Sequence, residues 1–118
     1  MSDAWMTLIS RKGKEISIPL SQVVEVIESP KVSHLPGVKK GVHGVTSYLG
    51  EIVTVVDLDY YLNPSVNQES ALHHKARSLI VVKANGSDTA ILASRIQNIS
   101  TKKPIETESV DLNLLLKH

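Results

Sequence analysis

The residues able to do chemistry are few, and their spacing does not suit it. Five histidines, His34, His43, His73, His74 and His118, are the candidate metal ligands. His73 and His74 are adjacent, and neighbours on an extended chain point to opposite faces, so they would share one ion only from a bent loop. No HExxH or comparable spacing supports them, and no metal is expected. Asp57 and Asp59 lie on one side of an extended chain, as an acid–base carboxylate pair would require. They directly follow a β-branched run, however, where accepting turn or helix-start amides is the simpler role. No GxSxG elbow is present, and Gly41 and Gly44 do not continue into GxGxxG or a Walker lysine motif. Cysteine is absent, which removes thiolate chemistry and disulfides together. The expectation is a protein with no catalytic residue and no cofactor.

The elements that hold these residues are organised around Gly41 to Leu62. A strand from Val42 to Ser47, a turn at Gly50 and a second strand from Ile52 to Val56 form a hairpin ending in Asp57 and Asp59. Ile52, Val53, Val55 and Val56 make a nearly continuous β-branched run, the pattern of a strand covered on both faces. Tyr48 and Leu49 place apolar side chains at the tip. Such a tip reads either as a protein contact surface or as a tip folded onto its own domain.

On the N-terminal side, Ala4 to Ser10 and Glu15 to Ile18 read as a hairpin across a charged turn from Arg11 to Lys14. Ser21 is then a candidate N-cap for a short helix carrying Val23, Val24, Val26 and Ile27, with Glu25 on its solvated face. Ser29-Pro30 and Leu35-Pro36-Gly37 punctuate a loop, and Asn63 to Lys75 reads as a polar surface loop. Ser78 to Ala84 and Thr89 to Ala93 flank Asn85-Gly86, a hairpin signal, and Arg95 to Ser100 adds a strand with Ile96 and Ile99 as its apolar contributors. Asp111 is placed to cap a terminal turn from which Leu112, Leu114, Leu115 and Leu116 pack back on the body.

Many short strands with turn signals between them indicate an all-β class with minor α content, a barrel or sandwich. The chain has 118 residues, with no Phe, one Trp and three Tyr, so a single domain spanning 1–118 with a core of Val, Ile and Leu is expected. A formal charge of +1 gives no strong field for nucleic acid or an acidic membrane. Arg11, Lys12, Lys14, Lys39, Lys40, Lys102 and Lys103 would have to carry a nucleic-acid surface without interleaved aromatic platforms, which makes that the weaker alternative. No run approaches the ~18 apolar residues needed to span a bilayer, so a cytoplasmic protein without direct membrane insertion is expected.

The central stretch resembles the CheW-like domain of bacterial chemosensory coupling proteins. Leu35-Pro36, the run from Gly44 through Val45, Thr46, Ser47, Tyr48 and Leu49 to Gly50, and Asp57-Leu58 stand where that family has Leu-Pro, Gly-Val-x-Asn-x-Arg-Gly and Asp-Leu. The segment from Val23 to Glu28 is similar to its Val-x-Glu-Val/Ile segment, and the segment from Ala90 to Ile99 to a later strand. The resemblance implies two SH3-like five-stranded β-barrel subdomains intertwined in one domain, with no enzymatic activity. It implies as partners a CheA-type histidine kinase and the tip of a methyl-accepting chemoreceptor, in a chemotaxis or type IV pilus (twitching) system.

Carried onto this sequence, Val23, Glu25, Tyr48, Leu49 and Gly50 are the expected partner-binding residues, and Gly44, Asp57 and Leu58 the structural signature. Leu49 replaces the signature Arg, Ser47 the Asn and Thr54 the strand Pro, and Ser94-Arg95 stands in place of Val-Asp. A contact relying on that arginine's charge is therefore expected to be remodelled. The segment after Ile99 is short for the family's late hairpin, so the second barrel is expected to be incomplete, with an edge that a second copy would cover as a homodimer. A degenerate module that self-associates or competes for partners is the alternative function.

Overall fold

The computed structural model describes residues 4–10, 12–28, 31–33, 41–62, 78–101, 108–109 and 112. The strands are β1 (Trp5–Ile9), β2 (Glu15–Pro19), β3 (Val23–Glu28), β4 (Val42–Tyr48), β5 (Glu51–Val56), β6 (Ser78–Ala84), β7 (Ser87–Ala93), β8 (Arg95–Ser100) and β9 (Glu108–Ser109). A 3-10 turn, Leu20–Gln22, precedes β3, and a short helix α1, Leu58–Leu62, follows β5. One sheet has the order β8-β1-β2-β9 and the other β3-β6-β7-β5-β4.

Strands β6 and β7 explain how the sheets share a core. Their side chains alternate between two clusters, because successive residues on a strand face opposite ways. Leu79, Val81, Ala90 and Leu92 join Val53 and Val55 on one face, with Ile27, Val32 and Tyr48 packed at its margin. Ile80, Val82, Ala84, Ile91 and Ala93 join Met6, Leu8, Ile16 and Ile18 of the first sheet on the other. Both strands are buried on both faces, which is why SLIVVKA and TAILA read as unbroken apolar runs. Leu112, the one residue of the expected C-terminal leucine group that is described, is fully buried in the cluster between the sheets.

The five-stranded sheet closes on itself. Its edge strands, β3 and β4, are far apart in strand order, but residues 31–33 continue from β3 and reach β4. Ser33 and Val45 exchange two backbone hydrogen bonds, each 2.9 Å, and the Thr46 hydroxyl donates to the Lys31 carbonyl at 2.8 Å. A sheet whose two edges are joined in this way is a small barrel of the SH3-like kind. Gly44 makes the join possible: a Cβ there would stand 2.3 Å from the Ser33 carbonyl oxygen. The other sheet has four strands among the described residues, the last of them two residues long.

Three expectations are corrected. The segment from Val23 to Ile27 is a strand, not a helix; it follows the 3-10 turn and pairs antiparallel with β6. A bulge between Val23 and Glu25 interrupts its alternation and produces apolar spacing that imitates a helix. Strand β5 is covered on both faces only at Val55 and Val56, since Ile52 is 74% exposed near the hairpin tip. Ile99 is also exposed, leaving Ile96 as the residue of β8 that packs on the core.

Asp57 and Asp59 separate into two structural roles. Asp57 caps α1, accepting the Asp59 N–H at 3.0 Å on Oδ1. Asp59 is buried and reaches the turn between β1 and β2: Ser10 Oγ donates to it at 2.8 Å and the Lys12 N–H at 3.0 Å. Ser10 is itself a junction, for its Oγ accepts the Lys14 N–H and its carbonyl accepts from Ser94 Oγ. These bonds tie the helix after β5, the first hairpin and the junction of β7 with β8. The Leu35-Pro36-Gly37 loop, the Asn63 to Lys75 loop, His34, His73, His74, His118, Arg11, Lys39, Lys40, Lys102, Lys103, Asp111 and Leu114 to Leu116 lie outside the described residues.

Candidate partner-binding site

Barrel closure brings together two of the expected contact residues from opposite ends of the sheet. Glu25 pairs with Val81 across the β3–β6 ladder, so it shares the face that lines the barrel interior. Tyr48, at the end of β4, packs against the same interior cluster. The two meet at the barrel mouth, where the Tyr48 hydroxyl hydrogen-bonds the Glu25 carboxylate. That bond, with burial and the charges of Glu25 and Asp88, raises the Tyr48 pKa above the ordinary tyrosine value, because each disfavours the phenolate.

Beside this pair the β4–β5 hairpin turns through Leu49 and Gly50, whose φ angles are 50° and 81°. Positive φ at both central residues marks the primed turn that suits a two-residue hairpin. Asn85 and Gly86, at 55° and 79°, make the same turn between β6 and β7. Asparagine tolerates the left-handed region, whereas leucine is strained there by about 1 kcal/mol. Leu49 is also 84% exposed, so the barrel itself makes no use of its side chain.

The other expected site residues lie as follows. Val23 is half-buried against the core between the sheets. The bulge turns its neighbour Val24 outward, 47% exposed, next to Glu25. Gly44 sits under the Ser33–Val45 join, Asp57 caps α1, and Leu58 is 1% exposed in the core. Sequence reasoning missed Val24 and Asp88 at the mouth; the bulge that exposes Val24 leaves no mark in a short apolar run. It also missed a groove of about 400 Å³ on the hairpin's flank, lined by Ile27, Lys31, Ser33, Val45, Thr46, Ser47 and Ile52. Among the described residues no group of three His, Cys, Asp or Glu is placed to hold a metal. No helix among them is long and apolar enough to cross a membrane.

Two packed β-sheets, one closed into a barrel, and an exposed mouth built from a tyrosine–carboxylate pair and apolar residues define a small β-barrel protein of the scaffold type. The chain belongs to the CheW-like domain family, whose profile matches residues 6–114. The family's proteins are scaffolds and adaptors of chemosensory systems, so the resemblance drawn from the central hairpin holds over nearly the whole chain. The chain is 32% identical to Protein PilI of Pseudomonas aeruginosa over 79 residues, which is 66% of this chain and 43% of PilI, so it spans less than half of that relative. Its fold is similar to the crystal structure of the scaffolding protein TtCheW from Thermoanaerobacter tengcongensis, with a TM-score of 0.68, 15% identity, and coverage of 84% of this chain and 64% of that one.

Proposed function

We propose that this chain, acting as a single domain over 1–118, is a non-enzymatic adaptor. It couples methyl-accepting chemoreceptors to a CheA-type histidine kinase in a chemotaxis or twitching chemosensory system. The observation that carries the reading is the barrel mouth, where closure joins Glu25 to Tyr48 and leaves Leu49 and Val24 in solvent beside them. Exposed apolar residues around a fixed polar pair suit a protein interface, with a desolvated centre and a hydrogen-bonded register. Adaptor work needs contacts that differ between two signalling states of the partner, and no bond chemistry.

The family's contact here uses an arginine, and Leu49 supplies apolar area in its place. The partner surface facing the tip is therefore apolar where a standard coupling protein's partner would offer a carboxylate. Immobilised kinase regulatory domain and receptor cytoplasmic tip from the same cell test the proposal directly. Binding to both, weakened by Leu49→Asp and by Glu25→Lys, is the expected result. Binding to neither, at concentrations where a standard coupling protein binds both, would overturn it.

A further inference from the structure

An asparagine side chain can react with its own backbone, because the nitrogen of the following residue can close on its carbonyl carbon in a five-membered ring. The chain holds Asn63, Asn67, Asn85, Asn98 and Asn113, followed by Pro, Gln, Gly, Ile and Leu. Proline has no N–H to give up, and a side chain on the following residue crowds the attack, so Asn85-Gly86 is the pair suited to it.

The fold puts that pair where the reaction has room. Ala84 and Ser87 are the last paired residues of the β6–β7 ladder, so Asn85 and Gly86 stand beyond it. Both are exposed, and nothing lies within 4 Å of the position a Gly86 Cβ would take. With φ at 55° and 79° they hold a left-handed turn. Asn85 must rotate out of it before the nitrogen reaches the carbonyl carbon, so opening of the turn gates the step. Asn98 is the contrast: it lies inside β8, paired with Thr7 and followed by the β-branched Ile99.

The structure assigns Asn85 as a site of spontaneous covalent modification at the barrel mouth. The Gly86 nitrogen bonds to Asn85 Cγ, the Cγ–Nδ2 bond breaks, and Nδ2 leaves as ammonia with the proton that Gly86 gave up. Water then adds to one of the two carbonyl carbons of the cyclic imide and breaks its bond to the ring nitrogen. Opening at Cγ leaves aspartate, and opening at the main-chain carbonyl leaves isoaspartate, with the chain routed through Cβ and Cγ. Either product carries a carboxylate that asparagine lacks. Strands β5 and β7 are parallel neighbours, so the turns before them, Leu49-Gly50 and Asn85-Gly86, lie at one end of the barrel. The new charge therefore appears at the mouth, on the hairpin whose Asp88 already acts on Tyr48. Isoaspartate also lengthens the turn by one carbon, against the register of Ala84 with Ser87. The assignment needs only the turn and water, and it stands apart from the kinase and receptor reading.

The test is incubation of the full chain at neutral and at mildly alkaline pH, followed by tryptic mapping and labelling with an isoaspartyl methyltransferase, against an unincubated sample. The expected result is aspartate and isoaspartate at position 85, in the fragment from Ala84 to Arg95, with Asn98 intact in the fragment from Ile96 to Lys102. Conversion is expected to be faster at the higher pH, because the attacking nitrogen must lose its proton. Urea that unfolds the chain is expected to speed it roughly tenfold by releasing the turn. Asn85→Gly keeps a residue suited to positive φ and is expected to abolish the label. Intact Asn85 after incubation, conversion of Asn98 at the same rate, or label that survives Asn85→Gly would overturn the assignment. A rate that urea leaves unchanged would overturn the gate.

Discussion

Replacing Gly44 by alanine tests the barrel closure by adding one methyl group. The added Cβ would lie 2.3 Å from the Ser33 carbonyl oxygen, 3.0 Å from its carbonyl carbon and 3.2 Å from Val32 Cγ1. The nearest atoms are backbone, so residues 31–33 must move away from β4. That movement lengthens or breaks the two 2.9 Å bonds between Ser33 and Val45. Overpacking a tight site costs about 1–3 kcal/mol and weakening the two bonds adds about 1 kcal/mol net, so the expected loss is about 2–4 kcal/mol. In a chain of this size that lowers the melting temperature by roughly 8–16 °C.

Gly50→Ala is the control. Nothing stands within 4 Å of a Cβ there, but φ is +81°, so the cost is conformational and about 1 kcal/mol. Urea denaturation of the wild type and both variants measures the difference. If Gly44→Ala costs no more than Gly50→Ala, the join at Ser33 does not hold the barrel shut and the reasoning from close approach is wrong.

Leu49→Asn is expected to stabilise the protein by about 1 kcal/mol in the same assay, because asparagine fits the left-handed turn, while weakening partner capture through loss of the apolar tip. Asp59→Ala removes the carboxylate that accepts from the Ser10 hydroxyl and the Lys12 N–H and should cost about 2–3 kcal/mol, with faster amide exchange at Lys12, whereas the cap that Asp57→Ala removes is worth about 1 kcal/mol. Tyr48 should ionise above ordinary tyrosine in a near-ultraviolet absorbance titration, and Glu25→Gln should bring it back toward the ordinary value. The folded pKa is the raised one, so its stabilising contribution is complete below the unfolded tyrosine pKa and is lost as pH rises toward the folded value. A Tyr48 titration unchanged by Glu25→Gln would mean the carboxylate is not its partner.

Local chemistry made much of the fold readable, and the limits of that chemistry explain the rest. Asn85-Gly86 announced the β6–β7 turn because few residues accept positive φ, and the apolar run from Ser78 to Ala84 announced a strand covered on both faces. Val23 to Ile27 misled because a bulge shifts strand alternation by one residue, and over so short a run the result matches helical spacing. Its β-branched content was the better signal.

The candidate site was only half legible. Tyr48, Leu49 and Glu25 stood out through the hairpin tip and the family resemblance, but their meeting depends on barrel closure at Ser33, Gly44 and Val45. Nothing local encodes that pairing. Asp59 shows the same limit: turn capping was the natural reading of a carboxylate after a strand, yet its partners Ser10 and Lys12 belong to the first hairpin. Gly44 mattered for close approach rather than for its torsions, which a sequence does not distinguish.

On the function proposed above, this chain transmits receptor state to a kinase by contact through the barrel mouth. The most direct measurement is autophosphorylation of a CheA-type kinase reconstituted with receptor-bearing membranes from the same cell, with and without the chain. Receptor ligand is expected to control the kinase rate only when the chain is present, and Leu49→Asp is expected to remove this control while the chain still folds. A kinase rate that answers to ligand equally without the chain, or not at all with it, would overturn the proposed coupling.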